Sequence, residues 1–117
     1  MGKSETDRIQ LLQGTLHLLV LQTLVFGPYH GHGIATAIQR TSEETLLIDH
    51  GSLYPALQRL EQGRLIASEW GVSENNRRAR FYKLTRAGRV RLAAETSKWE
   101  KMVRAVSRIL KPAKQEA

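Results

Sequence analysis

The spacing of the apolar residues changes period twice along this chain, and those two changes limit what it folds into. Up to residue 60 the apolar positions recur at helical intervals, from Leu65 to Leu84 they alternate, and beyond Arg86 the helical interval returns. Residues 11–26 carry Leu12, Leu16, Leu19, Val20 and Leu24 on one helical stripe, which Gly27 and Pro28 stop. Residues 33–41 carry Ile34, Ala37 and Ile38 on a second, with Gly31 and Gly33 at its entrance. A short apolar run, Leu46, Leu47 and Ile48, precedes the turn and cap types Asp49, His50, Gly51 and Ser52. A third helix follows on Leu53, Leu57 and Leu60. Pro55 is expected near the first turn of that helix, where backbone donors have no intrahelical acceptor to lose. In the alternating stretch Ile66, Ser68, Trp70 and Val72 share one strand face. Residues 79–84 supply the returning strand, with Phe81 expected in the core, and residues 73–78 form the polar turn between the two. Thr85 is an N-cap type for a long last helix, and Pro112 ends it. The fold class expected is mainly α with a two-stranded β-hairpin.

The chain is 117 residues long, enough for one modest core, and it contains no cysteine. Disulfides, thiolate metal ligands and thiol nucleophiles are thereby excluded, and a reducing compartment suits it. Its longest apolar stretch, residues 16–26, is interrupted by His17, Gln22 and Thr23 and falls short of the roughly 20 residues of a membrane helix. No small-residue cleavage site follows residues 1–10, so a cytoplasmic protein without membrane association is expected. The formal charge is +7, and it is concentrated. Residues 75–94 contain Arg77, Arg78, Arg80, Lys83, Arg86, Arg89 and Arg91 and no acid; removing these seven from 18 basic residues leaves 11, matched by 11 acidic ones. A local excess of this kind suits a polyanion, because each neutralised phosphate releases condensed counterions.

Several segments together resemble the PadR family of bacterial transcriptional regulators: Leu12-Gln-Gly-Thr-Leu16, His30-Gly-His-Gly-Ile34, Gly51-Ser-Leu-Tyr-Pro-Ala-Leu57, Leu60-Glu61, and Arg80-Phe-Tyr-Lys-Leu-Thr85 with Gly88. The Gly-Ser-Leu-Tyr-Pro run is the most specific, and the set spans residues 11–110. The resemblance implies a winged helix-turn-helix with a C-terminal dimerisation helix, of the branch with a short C-terminal region. It also implies a repressor of transcription, often released from DNA by a small molecule. Two positions depart from the family pattern. His32 stands between the glycines where a large aromatic is usual, and Gly63 precedes Arg64 where glycine more often falls one residue later. The division expected is a polar tail over 1–10, a winged-helix domain over 11–85, a dimerisation helix over 86–111 and a second tail over 112–117.

With Leu53, Leu57 and Leu60 turned inward, the third helix presents Ser52, Tyr54, Pro55, Gln58, Arg59 and Gln62 outward. Arg59 suits guanine and Gln58 suits adenine in a major groove, while Ser52 and Tyr54 at the helix start suit phosphates. Asn76, Arg77 and Arg78 at the hairpin tip suit a minor groove or the phosphate backbone, and Arg80 and Lys83 lie nearer its base. His30 and His32, at the second-helix entrance, join the DNA-facing set. On the last helix Leu92, Trp99, Met102, Val103, Val106, Ile109 and Leu110 form a seam near the heptad period. It is expected to pair with a second copy, helped by Leu11 and Leu12 of the first helix. The alternative folds that stripe onto its own domain. The partners expected are double-stranded DNA with a two-fold operator and a second copy of the chain. Trp99 is the residue expected to meet a small-molecule effector; some related proteins use aromatics on this helix in that way.

No catalytic set, metal site or cofactor is expected. His17, His30, His32 and His50 are dispersed in sequence, His30 with His32 is too few ligands for a typical metal, and Ser52 lacks the Gly-x-Ser-x-Gly elbow. The competing class is a basic RNA-binding or ribosome-associated module. Such readers usually stack bases on an open aromatic sheet, whereas this hairpin offers only Phe81 and Tyr82 on its second strand.

Overall fold

The computed structural model describes residues 9–111, and of Ile9 and Gln10 the backbone alone. Its elements run β1 (Ile9–Gln10), α1 (Gln13–Thr23), a 3₁₀ turn (Leu24–Phe26), β2 (Tyr29–His30), α2 (Gly31–Thr41), β3 (Leu46–Leu47), α3 (His50–Gln62), β4 (Ile66–Val72), β5 (Arg78–Leu84) and α4 (Arg86–Leu110). The expected order of three helices, a hairpin and a long helix is what the chain adopts. Residues 1–8 and the tail from Pro112 onward, both expected as polar tails, lie outside the described residues.

Three short additions change the outline. Ile9 and Gln10, expected as tail, pair in parallel with Leu46 and Leu47 and tie the start of the chain to the α2–α3 connection. The first helix ends three residues earlier than its apolar stripe, tightening into the 3₁₀ turn. The turn stops at Gly27, whose φ of 135° few other residues adopt. The chain then returns as β2, and the hairpin becomes a three-stranded antiparallel sheet in the order β2-β5-β4, with Tyr29 opposite Tyr82 and His30 opposite Phe81.

Leu16, Val20 and Leu21 of α1, Ile34 and Ile38 of α2, and Leu53, Ala56, Leu57 and Leu60 of α3 enclose one core. Ile66, Tyr82 and Leu92 close it from the sheet and α4. Each fully buried leucine or isoleucine contributes roughly 1.5–3 kcal/mol. In the hairpin Ile66 pairs with Leu84 and Ser68 with Tyr82. Tyr82 therefore shares the inner face and is buried. Phe81, expected in the core, lies half-buried on the opposite face against Gly71.

The third helix begins earlier than Pro55 suggested. Asp49 caps it, accepting from the Ser52 N–H at 2.8 Å, so helical geometry starts at His50 and Pro55 falls in the second turn. The missing Pro55 donor leaves the Gly51 carbonyl without its intrahelical partner. Both residues are exposed, so water can satisfy it. At the other end Arg64, standing where the family more often has glycine, adopts φ 62°. The Leu65 N–H closes the turn on the Leu60 carbonyl at 3.0 Å, and the Arg64 N–H meets Glu61 at 2.9 Å. A side chain at this φ costs about 1–2 kcal/mol.

His17 on α1 points a buried Nε2 that has no hydrogen-bond partner. Burial is the main cause holding its pKa below the ordinary value of 6.5. Repulsion from Arg59 adds to this and attraction to Glu95 opposes it. The folded protein therefore keeps His17 neutral at a pH where the unfolded chain already protonates it. The associated stability is present above about pH 6.5 and is lost as pH falls through the lower folded value. Urea midpoints taken from about pH 8 to about pH 5 are expected to fall below about pH 6.5 more steeply for the wild type than for His17→Leu; parallel curves would contradict this.

Candidate nucleic-acid interface

The exposure pattern of α3 separates its two faces. Leu53, Ala56, Leu57 and Leu60 are buried, and Ser52, Tyr54, Pro55, Gln58, Arg59 and Gln62 are exposed. At 100° per residue, Pro55, Gln58 and Gln62 lie opposite the core, Tyr54 and Glu61 flank the side toward the hairpin, and Ser52 and Arg59 flank the other. Arg59 is close enough to α1 for its charge to act on His17. Ser52 is already engaged: its N–H and its hydroxyl both donate to the Asp49 carboxylate, at 2.8 and 3.2 Å.

Tyr54 fixes how closely α2 approaches. Its ring lies over Gly31, where an added Cβ would come within 2.7 Å of it. The α2 N-terminus is thereby drawn against the α3 N-terminus. His30, expected among the DNA-facing residues, caps α2: its Nδ1 accepts from the Gly33 N–H at 3.0 Å, so the neutral ring carries its proton on Nε2 and donates it to Glu74 at 3.3 Å. The Glu74 carboxyl is held below the usual carboxylate range, first by its own backbone hydrogen bond and then by the one to His30. His32 stands 6.3 Å from His30 and 6.0 Å from His50, ring centre to ring centre, and His50 in turn lies 5.8 Å from Tyr54. Histidines dispersed in sequence are thus gathered on one side of the molecule, although no metal-holding cluster forms among the described residues.

The hairpin turn is built by Ser73, whose carbonyl accepts from the Asn76 N–H at 2.9 Å, and by Asn76 at φ 58°, a conformation asparagine tolerates. Asn76 therefore has a structural task beside any contact it makes. Arg77 and Arg78 follow it, both exposed. Arg80 is committed within the molecule: its Nε donates to Ser68 Oγ at 2.8 Å, that hydroxyl donates to Glu61 at 2.6 Å, and a terminal nitrogen of Arg80 sits 3.5 Å from the same carboxylate. This series of bonds ties the hairpin to α3. Sequence spacing gave no sign of it, because Glu61 and Arg80 meet only once the hairpin folds back.

An open cleft of about 550 Å³ lies between the hairpin and the N-termini of α2 and α3, lined among others by His32, Tyr54, Trp70, Arg77 and Arg78. It brings Tyr54, on the hairpin-side flank of α3, to the basic strand of the hairpin. The α4 residues lie elsewhere. Leu92, grouped in the sequence with the dimer seam, is buried in the chain's own core, whereas Trp99, Met102, Val103, Val106, Ile109 and Leu110 are all exposed. Leu12 is 80% exposed and Leu11 packs against the core. A second, apolar cleft of about 690 Å³ runs between α1 and α4, with Leu12, Leu18, Trp99 and Met102 in its walls.

Residues 20–94 match the transcriptional regulator PadR-like family. A transcriptional regulator from Clostridium thermocellum superposes with a TM-score of 0.77 at 26% identity, covering 85% of this chain and 96% of that one. A PadR family transcriptional regulator from Eggerthella lenta gives 0.72 at 28% identity, over 85% and 84% of the two chains. An uncharacterized 37.1 kDa protein in transposon Tn4556 of Streptomyces fradiae is 42% identical over 78 residues, which are 67% of this chain and 21% of that protein. No helix among the described residues is long and apolar enough to cross a membrane. With the family match spanning the end of α1, all of α2, α3 and the hairpin, and the start of α4, this chain belongs to the PadR-like family and is a DNA-binding transcriptional regulator.

Proposed function

We propose that the protein is a cytoplasmic homodimeric repressor that reads a two-fold symmetric operator, acting by binding and not by catalysis. In this reading α3 enters the major groove with Gln58 and Gln62 foremost and Arg59 and Tyr54 at its flanks. The hairpin is the wing, with Asn76, Arg77 and Arg78 along the adjoining backbone or minor groove. Ser52 and Pro55 lie where the helix start meets phosphates, His30 and His32 border the same strand, and Arg80 sets the wing against α3. The observation that carries the reading is that Tyr54 on the hairpin-side flank of α3 and the exposed Arg77 and Arg78 of the hairpin line one cleft, beside a helix whose outward residues are polar.

Residues 11–85 would then form the DNA-binding domain and residues 86–111 the dimerisation helix. Support for the dimer comes from Trp99, Met102, Val103, Val106, Ile109 and Leu110, an apolar row left uncovered beside exposed Leu12. Release by a small molecule rests on the family resemblance, and the cleft at Trp99 is the place such an effector would enter. Sedimentation at micromolar concentration is expected to give a dimer, and labelled duplex DNA is expected to resist competition by structured RNA at matched salt. A monomer would refute the dimer, and displacement by RNA at equal mass would favour an RNA-binding module.

A further inference from the structure

The inner face of the hairpin changes character along its length. At the root it is Ile66 opposite Leu84, then Ser68 opposite Tyr82, then Trp70 opposite Arg80, and at the tip Val72 opposite Arg78. The face that is core at one end therefore lines the open cleft at the other. Trp70 is 56% exposed there, a large apolar side chain overlaid only in part, by two arginines among the described residues. The guanidinium carbon of Arg78 lies 4.5 Å from its ring centre and that of Arg80 5.6 Å. An arginine held against an aromatic ring keeps its N–H edges free for an anion and has already lost much of its rotamer freedom. Arg80 is further pinned by Ser68 and Glu61, so Arg78 is the less committed cation of the two.

We propose that Trp70, with Arg78 against its ring, is the docking surface for one sugar-phosphate strand of the duplex, the deoxyribose packing on the indole and a neighbouring phosphate on the guanidinium edge of Arg78. The exposed indole beside the Arg78 guanidinium alternates an apolar with a cationic contact. A partner with regularly spaced negative charges and apolar rings between them fits this alternation. An acidic peptide, which supplies charge without a ring for the indole, fits it less well. Tyr54 of α3 lines the same cleft, so the strand would be the one bordering the groove that α3 enters.

This inference rests on the DNA-binding reading, and its test separates the two. Wild type, Trp70→Phe and Trp70→Ala are titrated into a fluorescein-labelled pool of random duplexes of roughly 30 base pairs at low salt, following anisotropy. Iodide quenching of tryptophan emission is measured with and without unlabelled duplex at constant ionic strength. The chain has two tryptophans, so the wild-type signal that Trp70→Phe removes belongs to Trp70. Duplex is expected to shield the wild type from iodide and leave quenching of Trp70→Phe unchanged. Trp70→Ala should bind about tenfold more weakly, and Trp70→Phe within about threefold of wild type. Duplex binding by the wild type with unaltered iodide quenching, or equal binding by Trp70→Ala, overturns the docking surface. If neither the wild type nor Trp70→Phe raises the anisotropy of the duplex, the DNA-binding reading itself fails.

Discussion

Replacing Arg77 and Arg78 together by alanine is expected to weaken duplex binding by roughly 10–100-fold at low salt. The slope of log affinity against log salt should flatten by about 2. The expectation follows from where the charge lies. Outside residues 75–94 the basic and acidic residues balance, so the field that attracts a polyanion comes from this segment. Within it Arg80 is already paired with Glu61, whereas Arg77 and Arg78 stand exposed just after the turn that Ser73 and Asn76 build. Every phosphate that no longer meets an arginine keeps about one counterion that binding would otherwise release, which a change in general charge alone does not bring about. The control is Lys98→Ala with Lys101→Ala on α4, which removes the same two charges far from the wing. It should lower affinity slightly and leave the slope unchanged. Equal slopes for the wild type and the double arginine variant would remove the wing from the interface.

The largest effect on stability is expected at Gly88. An alanine in a helix is ordinarily favoured over glycine by up to about 1 kcal/mol. Here the sign reverses. Thr85 caps α4 by accepting from the Gly88 N–H at 3.0 Å, while its own hydroxyl donates to the Leu65 carbonyl at 2.9 Å. The first turn of α4 is thereby pressed onto the root of the hairpin. A Cβ on Gly88 would overlap the Leu65 carbonyl oxygen and lie 2.7 Å from Leu84 Cδ1. A backbone oxygen held by two hydrogen bonds yields little, so Gly88→Ala should cost about 3 kcal/mol and lower the melting temperature by roughly 10 °C at fixed protein concentration. A raised melting temperature would show that α4 and the hairpin root are not packed in this way.

Much of this was legible in the sequence because it depends on local periodicity. The intervals between Leu53, Leu57 and Leu60 placed the inner face of α3 and hence its outer one, and the alternation from Ile66 to Val72 gave the wing. Arg64 stands where the family more often has glycine, but the conformation of that turn is not a matter of period, and only the folded chain shows its φ of 62°. The inner position of Tyr82 was also within reach: once Ile66 pairs with Leu84, parity puts Tyr82 inside and Phe81 outside. Two-residue strands such as Tyr29–His30 have no period to read. The Asp49 cap overrode the proline signal at Pro55, and pairs such as Glu61 with Arg80 or His30 with Glu74 join residues that only the folded chain brings together. Leu92 fitted the helical seam by spacing, yet the first turns of α4 lie against the core and only the later ones leave it.

Whether a dimer of this chain reads a two-fold operator is decided by selecting bound sites from a random duplex library and sequencing them. A dimer that places α3 of each copy in successive major grooves predicts enrichment of an inverted repeat, its half-sites about 10–10.5 base pairs apart from centre to centre. Absence of any enriched site, or enrichment of one unrepeated half-site, would contradict it.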